Sequence, residues 1–453
     1  MKKLGFFFSA IFIFSCSGGV PEDVLTLRRL NGEQSIIAAK DAYIFGYPLV
    51  YSHITKQYMT SVSSSTPNGN VNNIIHYPLT DFKFQNFQYP DPQTYYSCVW
   101  LDVSKEPVLF EIPIEKTLAA NFVIFDAWTN AVLNSSHFDS GEKTLKFAVT
   151  SKMRRGILPK DFIEVNSHTD TAFFVYGIKN EDKQNFSDAV KKHRKNIKVY
   201  PLNSRKNFSE IEKPVSQDPP LKQMRSLPIE EFFNILNSLM LSNAPFEKDA
   251  QTLENALDIG VSPGMRFEPS SFSEPVLEKI KLIPLDFAKE NSAKKNAAAW
   301  EKFKIEKSSG YYLRAKNAFK NIFGALDLKA ERLLSEIDAD GEPFDSSKNQ
   351  YVLHFEKSRI PKDAWSVSIY DADGFLMKNQ INRYVLSSNN KLKKNSDGSL
   401  NIYIQKNRPQ KDKTSNWLPS PKKSFKLIFK IYPPTGVFDA SILPAVKKVK
   451  PKR

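Results

Sequence analysis

The sequence predicts a mainly β protein with helical segments, α+β overall. It reads as two antiparallel β-sandwich domains joined by a helical region. Three observations carry this. Period-two alternation of apolar and polar residues fills the stretch after residue 70 and the last 110 residues. Apolar stripes at helical spacing occupy the middle of the chain. Asp373-Gly374 and Asp397-Gly398 punctuate the C-terminal strands as turn dipeptides.

Taken in order, residues 35–60 begin helical, with Ala38, Ala39, Ala42 and Tyr43 at helical spacing, and Gly46-Tyr47-Pro48 is expected to break that run. Val108, Phe110 and Ile112 then alternate with Leu109 and Glu111. Residues 122–125 and 172–176 are apolar runs of buried strands. Residues 179–228 are polar, basic and proline-containing, and read as the connection between the domains. Residues 228–258 read as helical, with Pro228 in the first turn and Ile229, Phe232, Phe233, Leu236 and Met240 on one face. Further helices are expected over 274–295 and 310–336. The C-terminal strands place Trp365, Val367 and Ile369, then Leu400, Ile402 and Ile404, then Phe425, Leu427, Phe429 and Ile431 on inner faces. The domain bounds that follow are a signal over 1–15 and a tether over 16–34. Then come an N-terminal sandwich over 35–205, a linker and helical region over 206–309, a C-terminal sandwich with a leading helix over 310–446, and a basic tail over 447–453. No internal repeat at fixed period is visible.

The chain has 453 residues, 41% hydrophobic and 25% charged, as in a soluble globular body. Its start resembles a bacterial lipoprotein signal. Lys2 and Lys3 precede an apolar run too short to span a bilayer, which ends on Ile13-Phe14-Ser15-Cys16. Cleavage before Cys16 would leave that residue to carry acyl chains, making the lipid the membrane attachment. The one other cysteine, Cys98, reads as an inert core thiol within a strand. The net charge of +15 is concentrated in patches such as residues 191–195 and 447–453. Such patches suit anionic lipid or polyanions, or simply a solvated surface. No nucleic-acid motif accompanies them.

No cofactor is predicted. The six histidines include no pair at a metal-ligand spacing, so no metal site is expected. Asp338–Gly341 and Asp371–Gly374 resemble calcium loops but fail the EF-hand pattern and read as turns. Nucleophile elbows and phosphate-binding glycine loops are absent. What stands out is two aromatic–polar groups. Thr94, Tyr96, Trp100, Asp126, Trp128 and Asn130 fall in the first domain. Trp365, Asn379, Arg383, Tyr384, Asn416 and Trp417 fall in the second. Aromatic rings beside amides suit sugar rings, which offer apolar faces and hydroxyl edges; the alternative is sandwich core with turn-bonding polar residues. Arg383 either pairs bidentately with an anionic group or ties loop carbonyls together.

The motifs Asp41–Pro48, Thr94–Asp102, Asp126–Asn130, Ala364–Ser366, Asn379–Tyr384, Asp397–Leu400 and Asn416–Pro419 occur in this order. Together they resemble an exported bacterial family made of paired domains of unknown function, 1254 followed by 1214. The resemblance implies two sandwiches of roughly jelly-roll kind, and His76 matches a histidine usual there. It also marks departures: Asp91 and Gln93 stand where members carry Asn and Asp, and Ile178 stands where many carry Arg. The expected role is a lipid-anchored envelope protein, at the outer membrane ahead of the inner. It would bind a glycan or another polar, anionic envelope polymer. The alternative is a hydrolase acting on a glycan or glycoconjugate.

Overall fold

The computed structural model describes residues 31–60, 71–135, 143–152, 156–180, 185–203, 216, 218–292, 299–303, 310–323, 330–432 and 438–449. The lipoprotein signal and Cys16 lie outside the described residues. No described helix is long and apolar enough to cross a membrane.

The first helix, α1 (Gly32–Thr60), runs straight through Gly46-Tyr47-Pro48, against the expected break. Burial explains this. Nearly every residue from Ala38 to Thr55 is buried, so packing outweighs the hydrogen bond that Pro48 cannot make. Gly46 is needed there because a Cβ would lie 2.4 Å from the Leu236 side chain.

The first sandwich follows. Its strands are β1 (Ile75–His76), β2 (Thr94–Asp102), β3 (Val108–Pro113), β4 (Ala120–Asp126), β5 (Ala131–Asn134), β6 (Thr144–Thr150), β7 (Ile163–Asn166) and β8 (Thr171–Lys179). Helix α2 (Phe186–Lys195) leads into β9 (Lys198–Pro201), which pairs with β3. Much of the expected connection over 179–228 is therefore part of this domain. The larger sheet has the order β1-β2-β8-β4-β5 and the smaller β7-β6-β3-β9. Val99, Leu101, Phe110, Phe122, Phe147 and Phe174 fill the space between them.

Helices α3 (Pro220–Ser226), α4 (Ile229–Leu239), α5 (Ala250–Leu257) and α6 (Glu274–Asn291) come next, so the helix expected over 228–258 is two. A short strand, β10 (Glu301–Lys302), precedes α7 (Tyr311–Asn321). The expected long helix over 310–336 ends early, because 331–335 is a strand. Helix α7 packs on α1. Helices α3–α6 pack on α1 as well, and α1 with the end of α7 covers the outer face of the larger first sheet, where Met59 meets Trp100 and Phe323 meets Trp100, Phe125 and Phe173.

The second sandwich continues with β11 (Glu331–Ser335), β12 (Gln350–Phe355), β13 (Trp365–Asp371), β14 (Val385–Ser387), β15 (Leu400–Gln405), β16 (Trp417–Pro419), β17 (Phe425–Ile431) and β18 (Lys447–Val449). The start of the expected basic tail is thus an edge strand on β12. The sheet orders are β10-β11-β17-β13-β14 and β16-β15-β12-β18. These match the first sandwich strand for strand, each offset by nine. Even the parallel pairs recur, β6 with β7 and β15 with β16. All other pairings are antiparallel. The fold is therefore one topology used twice, although no repeat shows in the sequence. Sequence neighbours such as β4 and β5 pair directly, and the jelly-roll detail of the expectation is not borne out.

Candidate functional site

The duplicated topology creates the site where the outer faces of the two larger sheets approach. On the second sandwich this face sets cations and hydroxyls beside an apolar patch of Leu334, Tyr370 and Ile428. Alternation in β17 turns Lys426, Ile428 and Lys430 outward while Leu427, Phe429 and Ile431 enter the core. Residues 82–93 of the first domain lie across this face. The Tyr89 N–H donates to Gly374 O (2.7 Å), Arg332 Nη2 to Tyr89 O (2.6 Å) and the Tyr370 hydroxyl to Pro90 O (3.0 Å). Gly374 has φ +88°, and a Cβ there would lie 2.9 Å from the Tyr89 ring, so the crossing requires glycine.

Asp91 lies near the end of this segment, and its Oδ2 sits 2.9 Å from Lys430 Nζ. Burial alone would raise the carboxyl's pKa. The Lys430 charge and hydrogen bond, with a further bond from the Gln93 N–H, hold it below the usual range. The Asp91 N–H donates to the Tyr96 hydroxyl at 2.8 Å. Around this pair, topologically equivalent rows meet. Tyr96, Gly177 and Asn121 form one across β2, β8 and β4; Arg332, Lys430 and Ser366 form the other across β11, β17 and β13.

A cleft opens from this point along the domain boundary. One part, of about 830 Å³, is bounded by Thr80, Phe82, Gln93, Arg383, Tyr384 and Lys391. The adjoining part, of about 550 Å³, is bounded by Lys179, Trp365, Ser366, Asn389, Lys430 and Tyr432. Gln93, Asn180 and Asn390 border both. Lys179 and Lys430 stand 4.3 and 5.0 Å from the Tyr432 ring centre. Amides, hydroxyls and cations therefore line the cleft beside apolar groups such as Phe82, Ile381 and Trp365. Among the described residues lining the two parts, Asp91 is the only carboxylate, and Lys430 already neutralises it. Such a lining is suited to hydroxyls and anionic groups.

Of the residues expected from sequence, Thr94, Tyr96, Trp365, Arg383 and Tyr384 border this cleft or its inner end. Arg383 Nη1 donates to the carbonyls of Thr414 (2.7 Å) and Trp417 (2.9 Å), so it ties loop carbonyls. Asn379 closes that loop through the Arg383 N–H and carbonyl. The Trp365 ring stacks on Phe429 in the core.

The remaining expected residues lie away from the cleft. Trp100 packs between Phe173 and Phe323, and Trp128 and Trp417 are fully buried, their indole N–H groups donating to the carbonyls of Ala244 and Gln405. They present no face to a sugar. Asn416 is consumed by Lys393 and Asn401 backbone groups. Asp126 and Asn130 close a turn on each other, and burial raises the Asp126 carboxyl to about 6. His76 lies on edge strand β1, with Nδ1 2.8 Å from Ser97 Oγ. Burial, then the nearby Arg194 charge, lowers its pKa to about 4. The two aromatic groups therefore do not form one sugar-stacking surface.

Lys179, Arg332 and Lys430 were not anticipated. The signal was present in Lys426 and Lys430, lysines at alternate positions of an otherwise apolar strand. Only the partner domain shows what they face.

Residues 71–201 match the family described as a protein of unknown function, DUF1254, and residues 330–436 that described as a protein of unknown function, DUF1214. The VPA0106 protein from Vibrio parahaemolyticus is 21% identical, with 92% of this chain and 100% of that chain covered at a TM-score of 0.59; it shares the fold. A Burkholderia cenocepacia protein is 9% identical over 92% and 97% of the two chains, at a TM-score of 0.43. No curated protein matches. The paired matches, in the order the sequence motifs imply, place the chain in the two-domain family in which domain of unknown function 1254 is followed by domain 1214.

Proposed function

We propose that this is a lipid-anchored envelope protein that binds a polar polymer, an acidic glycan, in the cleft between its sandwiches. The observation that supports the reading is the lining of that cleft. Gln93, Asn180, Asn390, Lys391 and Lys179 offer amides and cations along an open groove, with Phe82 and Tyr384 as apolar walls. The hydrolase alternative is weaker. Glycoside hydrolysis uses two carboxylates about 5–10 Å apart. Among the described lining residues of the cleft only Asp91 is available, and its pairing with Lys430 keeps it ionised.

The test is retention of the folded chain on immobilised polygalacturonate, with neutral dextran as control. Retention on the acidic polymer is expected. Asn389→Trp, an exposed change that narrows the smaller part of the cleft, should weaken retention without altering the melting temperature. Equal retention of that variant would sink the cleft reading. Anchoring is tested separately: Cys16→Ala should move the protein out of the detergent phase, and a variant that still partitions with membranes would refute it.

A further inference from the structure

A second pocket lies on the second sandwich itself, apart from the domain boundary. Strand pairing builds it. In the parallel pair of β15 and β16, Gln405 is in register with Pro419, and the Ser420 N–H donates to Gln405 O at 3.1 Å. This brings Lys406, just past one strand end, beside Ser420 and Lys422, just past the other. The loop after β13 brings Met377, Lys378, Asn379 and Gln380 over from the opposing sheet. The result is a rim pocket of about 280 Å³ between the two sheets, with Ile369 and Met377 as an apolar floor.

Its chemistry is one-sided. Lys378, Lys406 and Lys422 are exposed lysines bordering one small pocket, and no carboxylate is among its described lining residues. A second observation is independent of charge. Ser420 is 6% exposed, and its hydroxyl has no hydrogen-bond partner among the described residues. A buried hydroxyl left unpaired is destabilising, and native proteins keep few of them without a reason. Here it lies in the wall of a pocket bordered by three lysines, of which Lys406 and Lys422 flank it on the same sheet while the Lys378 ammonium stands 5.8 Å from the Phe82 ring centre. An oxyanion in that pocket would accept from the lysines and, after a rotation of the serine side chain, from its hydroxyl. The turn that supplies Asn379 is already braced by its bonds to Arg383, so this wall is formed in advance.

We infer that the rim pocket between β13, β15 and β16 is an oxyanion-binding site, taking the phosphate, sulfate or carboxylate group of a sugar-sized ligand. The site does not depend on the cleft, and its failure would leave the cleft reading intact.

Calorimetric titration of the full chain at low ionic strength tests it, with glucose 6-phosphate, glucose 6-sulfate, glucuronate and neutral glucose as probes, and phosphatidylglycerol vesicles as a lipid source of the same group. At least one charged probe should bind saturably at one per chain, and glucose should not. Which probe binds identifies the source. The double variant Lys406→Ala/Lys422→Ala, both solvent-exposed positions, should weaken binding at least tenfold without changing the melting temperature. Ser420→Ala should weaken it about threefold or more. The control pair Lys357→Ala/Lys411→Ala, and the cleft variant Asn389→Trp, should leave it unchanged. Failure of every charged probe to bind saturably overturns the proposal. So does undiminished binding by the Lys406/Lys422 variant, or an equal loss in the control pair.

Discussion

The two sandwiches share strand order but differ in what covers the outer face of the larger sheet. In the first, Cys98, Trp100, Val123, Phe125 and Phe173 are sealed beneath helices. In the second, the equivalent face carries Arg332, Ser366, Ser368, Lys426 and Lys430 beside Leu334, Tyr370 and Ile428, crossed by a single irregular segment of the first domain. The turns after β4 and β13 show how closely the backbones agree. Asp126 accepts from the Asn130 N–H and Asp371 from the Phe375 N–H, each at 2.9 Å, and Thr129 and Gly374 take left-handed backbone at matching positions. One scaffold thus yields a wall of the core or a wall of a cleft. The choice lies in the polarity of alternate residues on three strands.

This contrast sets the order of expected effects. Trp100→Ala, on the sealed face, should cost about 4 kcal/mol, because the helices cannot collapse into the space an indole leaves. Urea unfolding measures it, and a loss under ~1 kcal/mol would mean that face is not core. On the open face, Asp91→Asn should cost about 3 kcal/mol by leaving Lys430 buried without its partner. Asp91→Leu combined with Lys430→Met should recover most of that. A double variant no better than the single one would show that the pair is held by more than its own charge balance.

A smaller effect within the first domain is read by pH. The Asp126 carboxyl, raised to about 6, favours the folded state below its ordinary 3.8, and that contribution is lost as pH rises through 6. Burial lowers His53 and His76 to about 4, so their penalty appears as pH falls from 6.5 through 4, the opposite slope. Asp126→Asn should therefore steepen the rise of stability between pH 4 and 6, by about 2 kcal/mol. Superimposable urea midpoints against pH for the two proteins would contradict this. Least of all, Arg383→Ala should lower stability by about 1–2 kcal/mol, since the Thr414 and Trp417 carbonyls lose their donor. It should leave polymer retention largely in place; retention abolished at unchanged melting temperature would make Arg383 a ligand contact instead.

The local periodicities were legible in the sequence because each depends on near neighbours. Alternation in 365–369, 400–404 and 425–431 placed the inner faces of the second sandwich correctly, and Cys98 is buried with its thiol pushed up by desolvation. Helix ends were less legible. Pro48 sits inside α1, and 331–335 is a strand because Leu333 and Leu334 pair with Phe429 and Ile428 of β17, nearly 100 residues away. The tryptophans of both motif groups read as core before they read as sugar platforms, and solvent exposure, which decides between them, is not a local property.

By itself the sequence determined two sandwiches, their inner faces, the intervening helices and the family, since these follow from residue period and from motifs in order. Tertiary structure alone decided that the sandwiches repeat one topology, because strand order is set by long-range pairing that leaves little trace in composition. It also decided that Lys430 meets Asp91 and that Lys406 stands beside Ser420. Each pairing joins segments whose separation along the chain says nothing about their distance in space.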